Sequence, residues 1–293
     1  MAQPNSKIAP EVYDMARLLH TDSAICAASA IAMRTNAPMV LRHEALDLYS
    51  VCPDERAKAE LKKVYMSRCF GTQVWSYSEK AITANISAVR EWDANGTVFG
   101  YNRATGMGAG EFGHNDYYPV VIAACHNNPQ HNGEDALKGM ILLDEIRGRL
   151  AEVFSLKDYK IDHVLHGSLA SAVVYGAMLG GTPEQIESAV GMLVAHYVPW
   201  RAIRAGPQLS DSKGASAALS TEVAVQAVHR AMAGFVGPKD IFSNPEAIYR
   251  RAEPQDQDQS PFDLHLTTHG GDFAIMNMHF KLGIYEHQSA SAI

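Results

Sequence analysis

Apolar residues return every third or fourth position through most of the first 255 residues, and that period commits the chain to helices packed on helices. Glu11 to Met33 is rich in Ala, Leu, Ile and Met and contains no Gly or Pro. Ser78 to Arg90 places Ala81, Ile82, Ile86 and Val89 on one face. Glu134 to Phe154 repeats the spacing with Leu137, Ile141, Leu142, Ile146 and Leu150. Thr182-Pro183-Glu184-Gln185 is a strong helix start: Thr caps, Pro suits the first turn, and Gln can complete a capping box. The helix it opens turns Ile186, Val190, Leu193 and Val194 inward. Ala215 to Met232 is built from small residues, so neighbouring helices can approach it closely. Pro53 to Val64 reads as a charged, exposed helix.

Strand evidence is confined to the end. Phe262-Asp263-Leu264-His265-Leu266-Thr267 alternates apolar and polar, the period of a half-buried strand. Glu253 to Ser260 is a polar linker containing Pro and Gln. The expected architecture is therefore mainly α, with a large all-helical domain over 1–255 and strand only after it. The remaining residues, 256–293, are too few for a stable domain and read as the beginning of something further.

Composition removes several function classes. With 47% hydrophobic residues the chain can bury a sizeable core, and a net charge of -7 with scattered basic residues argues against nucleic acid and against an anionic membrane surface. No apolar run reaches the roughly 18 residues of a membrane span. The start of the chain lacks the pattern of a secretory signal or an Arg-rich transit peptide, so a cytoplasmic location is expected, or the mitochondrial matrix in a eukaryote. The four cysteines, Cys26, Cys52, Cys69 and Cys125, have neither zinc-ligand nor iron–sulfur spacing and read as reduced, mostly buried thiols. No metal and no cofactor is expected.

Two stretches carry more polar chemistry than helix packing requires. The first runs from Arg90 through Asp93, Asn95, Gly96 and Thr97, and resumes at Gly110-Glu111-Phe112-Gly113-His114-Asn115-Asp116. It reads as a long Gly-rich loop in which Asp, Thr and His could bind a hydroxyl and move a proton, or simply as a solvated loop. Gly106-Met107-Gly108-Ala109-Gly110 is a poor phosphate loop, because no strand leads in and no Lys-Ser/Thr follows. The second stretch holds Arg201, Arg204 and Lys213 ahead of the small-residue helix. Arg forks and a Lys point charge suit a substrate with several carboxylates, although surface charge at a helix end reads equally well. Isolated histidines are weaker signals. His163 and His166 flank a helix start, His126 and His131 are expected to face water, and His20, His43, His196 and His229 read as structural.

Taken in order, these segments resemble the MmgE/PrpD family. Asp93-x-Asn95-x-Thr97 resembles its D-x-x-D-T segment, with Gly96 in place of the second acid. Gly110-Glu111-Phe112-Gly113-His114 resembles A-E-W-G-H, and Asp162-His163-Val164-Leu165 resembles a D-H-V-L helix start. Arg201-x-x-Arg204 with Ser212-Lys213 resembles the basic turn. Met278-His279-Phe280-Lys281 and His287-Gln288-Ser289-Ala290 resemble the lysine segment that opens the second domain. The resemblance implies a helical domain, a smaller α/β lid, a homodimer, and a metal-free site made of Asp93, Thr97, His114, His163, Lys213 and Lys281. Family members extend well beyond the equivalent of Ile293, so the lid is expected to be incomplete in this chain.

The resemblance implies removal of water from a 2-methylcitrate-type tricarboxylate. Arg201, Arg204, Lys213 and Lys281 would face substrate carboxylates, while His114 and His163 would handle protons. Decarboxylation of cis-aconitate by the same cationic pocket, or a shortened non-catalytic homologue that only dimerises, are the competing expectations.

Overall fold

The computed structural model describes residues 7–51, 64–102, 107–204, 210–253 and 260–281, without the side chains of 98–102 and 107–114. Among them nine α-helices dominate: α1 (Pro10–Ala32), α2 (Asn36–His43), α3 (Ser78–Arg90), α4 (Tyr118–Asn127), α5 (Gly133–Val153), α6 (Val164–Met178), α7 (Pro183–His196), α8 (Asp211–Met232) and α9 (Ile248–Ala252). The fold is mainly α, as the apolar period dictates. Of the helix expected over 53–64, residues 53–63 lie outside the described residues.

Local chemistry sets the helix ends. Thr182 Oγ1 accepts from the Gln185 amide at 3.3 Å while Gln185 returns a carbonyl to the Thr182 amide at 2.9 Å, so α7 begins with a complete capping box. Asn132 and Asp135 do the same for α5, where Pro is absent. The small residues of α8 serve close packing: Ala217, Ala218, Ala224 and Ala227 are buried, and α8 lies against α3, α6 and α7 at once. One continuous apolar core links α1 with α3 through α8 and takes in Phe273, Ile275 and Met278 from the end of the chain. Burial at about 25 cal/mol per Å² of apolar surface is what holds these helices to one another.

Strand lies where it was not expected. Three short strands, β1 (Ser50–Val51), β2 (Met66–Arg68) and β3 (Trp75–Tyr77), form an antiparallel sheet in the order β1-β3-β2. The Gly-rich stretch after α3 is an antiparallel hairpin rather than a loop. In it β4 (Thr97–Asn102) pairs with β5 (Met107–His114), Thr97 opposite His114, with irregularities that displace the register. Conversely, no strand forms among residues 260–281. The alternation of Phe262, Leu264 and Leu266 marks an extended segment laid on the helices, but it has no neighbouring strand to complete a ladder.

That segment is fastened by side chains instead. Glu145 of α5 is fully buried and accepts from the main-chain amides of Thr267 at 2.7 Å and Ala274 at 2.6 Å. Arg149 bonds Glu145 at 2.9 Å and donates to the Asp272 carbonyl at 2.6 Å. Near Gly270 a parallel bridge ties the segment to the start of α1, with Gly270 donating to Lys7 and Ala9 donating to Gly270, both at 2.9 Å. Two histidines expected to face water are in fact half-buried: His126 bonds Ser67 Oγ at 2.8 Å against Trp75, and His131 meets the Met178 carbonyl at 2.7 Å.

Candidate active site

The centre of the site is the turn that ends α3. Asp93 sits there in a left-handed conformation, φ 53°, which Asp tolerates better than most residues. Its amide is held by the Arg90 carbonyl at 2.9 Å, and its carboxylate collects three cations. Arg90, one turn earlier, meets Oδ1. Lys213 Nζ, from the first turn of α8, lies 3.2 Å from Oδ2. Lys281 Nζ donates to Oδ1 at 2.7 Å and also to the Asp93 carbonyl. Three parts of the chain, separated by as many as 188 positions, therefore converge on one carboxylate.

Solvent access differs among these cations. The Lys281 side chain is 4% exposed and that of Arg90 3%, while Lys213 keeps 23%. Burial pushes the Lys281 ammonium below the ordinary lysine value, and the hydrogen bond and charge of Asp93 pull it back. Lys213 is the cation of the three that an incoming anion can reach most readily.

Main-chain pairing delivers Lys281. Thr97 at the start of β4 donates to the His279 carbonyl at 2.9 Å and accepts from the His279 amide at 3.0 Å. On its other edge Thr97 pairs with His114. The two histidine segments thus flank Thr97, whose own residue is buried. The side chain of His114 lies outside the described residues.

Gly96, which stands where the resemblance predicts an acid, has a steric reason. A Cβ there would lie 2.8 Å from Leu19 Cδ2 and 3.3 Å from the His279 carbonyl oxygen. Its amide instead binds Asp22 of α1 at 2.7 Å. A carboxylate is still present nearby, supplied by Asp116. Fully buried, Asp116 accepts from Asn95 Nδ2 at 2.6 Å and lies 3.3 Å from Arg90 Nε.

The second half of the site begins at α6. His163 is buried at the helix start, with Nδ1 3.3 Å from Asp162 Oδ1. Asp162 is fully buried and takes the Arg204 guanidinium on both oxygens, Nε on Oδ2 and Nη2 on Oδ1 at 3.1 Å. Burial alone would raise its carboxyl, but His163 and Arg204 outweigh that and hold it below the usual aspartate value. Arg201 begins the same 3₁₀ turn, Arg201–Arg204, and its amide donates to the Lys160 carbonyl at 2.8 Å.

Between the halves stands Tyr117. Its ring is buried, and its hydroxyl has no hydrogen-bond partner among the described residues. Burial drives the phenol well above its ordinary value, with the charges of Asp116, Arg147, Asp162 and Arg90 acting on it in that order. The Arg147 guanidinium lies 5.4 Å from the ring centroid and is clamped by fully buried Asp144 at 2.6 and 2.7 Å.

Of the residues singled out by sequence, Asp93, Lys213 and Lys281 are in direct contact. His163 and Arg204 share Asp162, and Thr97 adjoins the backbone of His114 and of His279. Arg90, Asn95 and Asp116 lay in the polar stretch but were given no role, and Tyr117 and Arg147 were not singled out. The available signal was helical spacing: Arg90 lies three positions before Asp93, and an Arg inside an apolar helix face needs a buried partner.

Fold and site together define a mainly helical domain that buries a carboxylate among cations, with a histidine and a second carboxylate–guanidinium pair close by. A family model for the MmgE/PrpD N-terminal domain matches residues 2–260. The chain belongs to the MmgE/PrpD family, which includes 2-methylcitrate dehydratase and supports a lyase at the family level. Among the described residues no three of His, Cys, Asp and Glu converge as a metal-ion ligand set.

Proposed function

We propose that this chain is a hydro-lyase of the 2-methylcitrate dehydratase type, acting on small tricarboxylates. The observation that carries the reading is the capture of Asp93 by Arg90, Lys213 and Lys281. Such a cluster holds cations in fixed places inside a net-negative protein, and a partly exposed lysine among them can exchange its internal carboxylate for one from substrate.

In the reaction, a base removes the proton from the carbon beside a carboxylate. Negative charge spreads onto that carboxylate, where Lys213 absorbs it, with Arg201 proposed as a second carboxylate ligand. The C–O bond to the hydroxyl then breaks, an acid donates a proton to the departing oxygen, and water and an alkene result. His114 and His163 are the proposed proton carriers, because an imidazole ring can both accept and give up a proton. Asp93 and Lys281 fix Lys213 in place, and the hydroxyl of Thr97 is assigned to substrate. The mechanism uses no metal and no cofactor. We take the working form to be a cytoplasmic homodimer; Leu18, Ile25 and Met33, exposed along and just past α1, offer an apolar face for a second copy.

Incubation of the purified chain with 2-methylcitrate, citrate and cis-aconitate, followed by ultraviolet absorbance of the unsaturated product, tests the proposal. Release of CO2 from cis-aconitate without hydration chemistry would assign the decarboxylase instead. Absence of turnover and of binding with all three would remove the enzymatic reading. Turnover abolished by a chelator and restored by iron or zinc would remove the metal-free one.

A further inference from the structure

We infer that Arg204 is a positioning residue rather than a ligand of substrate. With Asp162 it forms a brace that keeps His163 and Lys213 at fixed places relative to each other. The inference rests on the dehydratase-type site proposed above.

The brace is built from both ends. Asp162 is pinned before α6: its amide donates to the Pro199 carbonyl at 2.7 Å, and Oδ1 accepts the Val164 amide at 3.3 Å. The same Oδ1 lies 3.3 Å from His163 Nδ1. The Asp162 carboxylate therefore both caps the helix that carries His163 and faces its ring. Arg204 arrives from the adjacent 3₁₀ turn, which the Ile161–Trp200 bridge fastens to the same segment. Its guanidinium forks onto both Asp162 oxygens.

Nη2 of the same guanidinium reaches Ser216 Oγ at 3.4 Å, and Ser216 Oγ donates to the Lys213 carbonyl at 3.0 Å. One planar group thus touches the carboxylate beside His163 and Ser216 of α8, which is bonded to the carbonyl of Lys213, the residue that holds Asp93. The path from His163 to Asp93 runs through the 3.3 Å approach of its Nδ1 to Asp162 and then through hydrogen bonds of Arg204, Ser216 and Lys213.

Two physical points favour this role over direct substrate binding. A bidentate Arg–carboxylate pair is directional as well as strong, so it fixes orientation in a way that a single lysine contact does not. Turning Arg204 toward a substrate would also strand a carboxylate with no solvent access, and losing one partner of a buried pair is far more costly than losing an exposed one. Lys213, the most exposed of the cations on Asp93, is the one left to meet a substrate carboxylate.

The test uses the whole chain carrying Arg204→Lys and Arg204→Gln, with thermal melts as a folding check. Lysine keeps the charge and loses the fork. The first readout is the ¹⁵N spectrum of labelled histidines, with His163 assigned from His163→Asn. The expected result is that both variants shift the His163 ring signals and that added guanidinium ion partly restores them in Arg204→Gln. The second readout is turnover: kcat is expected to fall about 100-fold, the loss typical of an ångström-scale misplacement, with KM changed by less than about 3-fold. Unshifted His163 signals in Arg204→Lys would overturn the brace, as would a raised KM at unchanged kcat. If the parent chain turns over no tricarboxylate, the proposed function fails while the histidine spectra still decide the brace.

Discussion

Gly167 occupies a place in α6 where one methyl group has a calculable effect. A Cβ there would lie 2.0 Å from Tyr117 Cζ, 2.2 Å from its hydroxyl oxygen and 2.6 Å from Cε1. Carbon atoms rest about 3.5–4.0 Å apart, so in Gly167→Ala the ring would have to retreat by roughly 1.5 Å. Tyr117 is 1% exposed and packed near the clamped Arg147, so that retreat is overpacking, costing about 1–3 kcal/mol or more. Alanine by itself favours a helix over glycine by about 1 kcal/mol. The two effects separate in a double-mutant cycle measured by urea denaturation. Gly167→Ala should have a net effect of about 0–2 kcal/mol of destabilisation in the parent chain, the overpacking less the helix gain, yet stabilise a Tyr117→Ala background by up to about 1 kcal/mol. The same effect in both backgrounds would refute the argument, since it would mean that the ring is not what excludes a side chain. Because Tyr117 follows Asp116, the single variant should also disturb the Asn95 and Arg90 contacts and lower any turnover.

The remaining predictions address charge. Asp93→Asn keeps a residue suited to the left-handed turn but removes the carboxylate from Arg90, Lys213 and buried Lys281; a loss of about 3–5 kcal/mol in urea denaturation is expected, and parent-like stability would sink the claim that the cluster is held by charge. His166 is depressed from 6.5 to about 3, first by burial and then by His163. A base with a lowered folded value stabilises above its unfolded value and loses that contribution as pH falls through the folded one. It should therefore supply about 2 kcal/mol of the stability lost between pH 7 and pH 5. His166→Phe should flatten the stability profile over that range, and an unchanged slope would count against a neutral buried ring. Glu145→Gln weakens the anchor of the closing segment. Hydrogen exchange should quicken at Thr267 and Ala274 while α3 and α8 keep their protection, and uniform protection would show that the anchor is not local.

Sequence alone determined the helices and several of their ends. The 3.6-residue period of α5, the Thr182–Gln185 box and the small residues of α8 are local statements, and short-range hydrogen bonding and side-chain volume enforce them wherever the chain goes. Family membership was legible too, because Asp93, Asp162-His163, Lys213 and Lys281 stand in a recognisable order. The structure alone decided everything that needs two distant segments. The alternation at 262–267 suggested a strand, yet a strand requires a neighbour with free backbone groups; the Thr267 amide met the Glu145 carboxylate instead. The hairpin at 97–114 was hidden by its glycines, which lower strand propensity, and it forms because β4 and β5 satisfy each other. Arg90, Asp116 and Arg147 look like ordinary charged residues in sequence. Only folding removes their water and compels each to find a counter-charge, and the position of that counter-charge is a property of the packed helices.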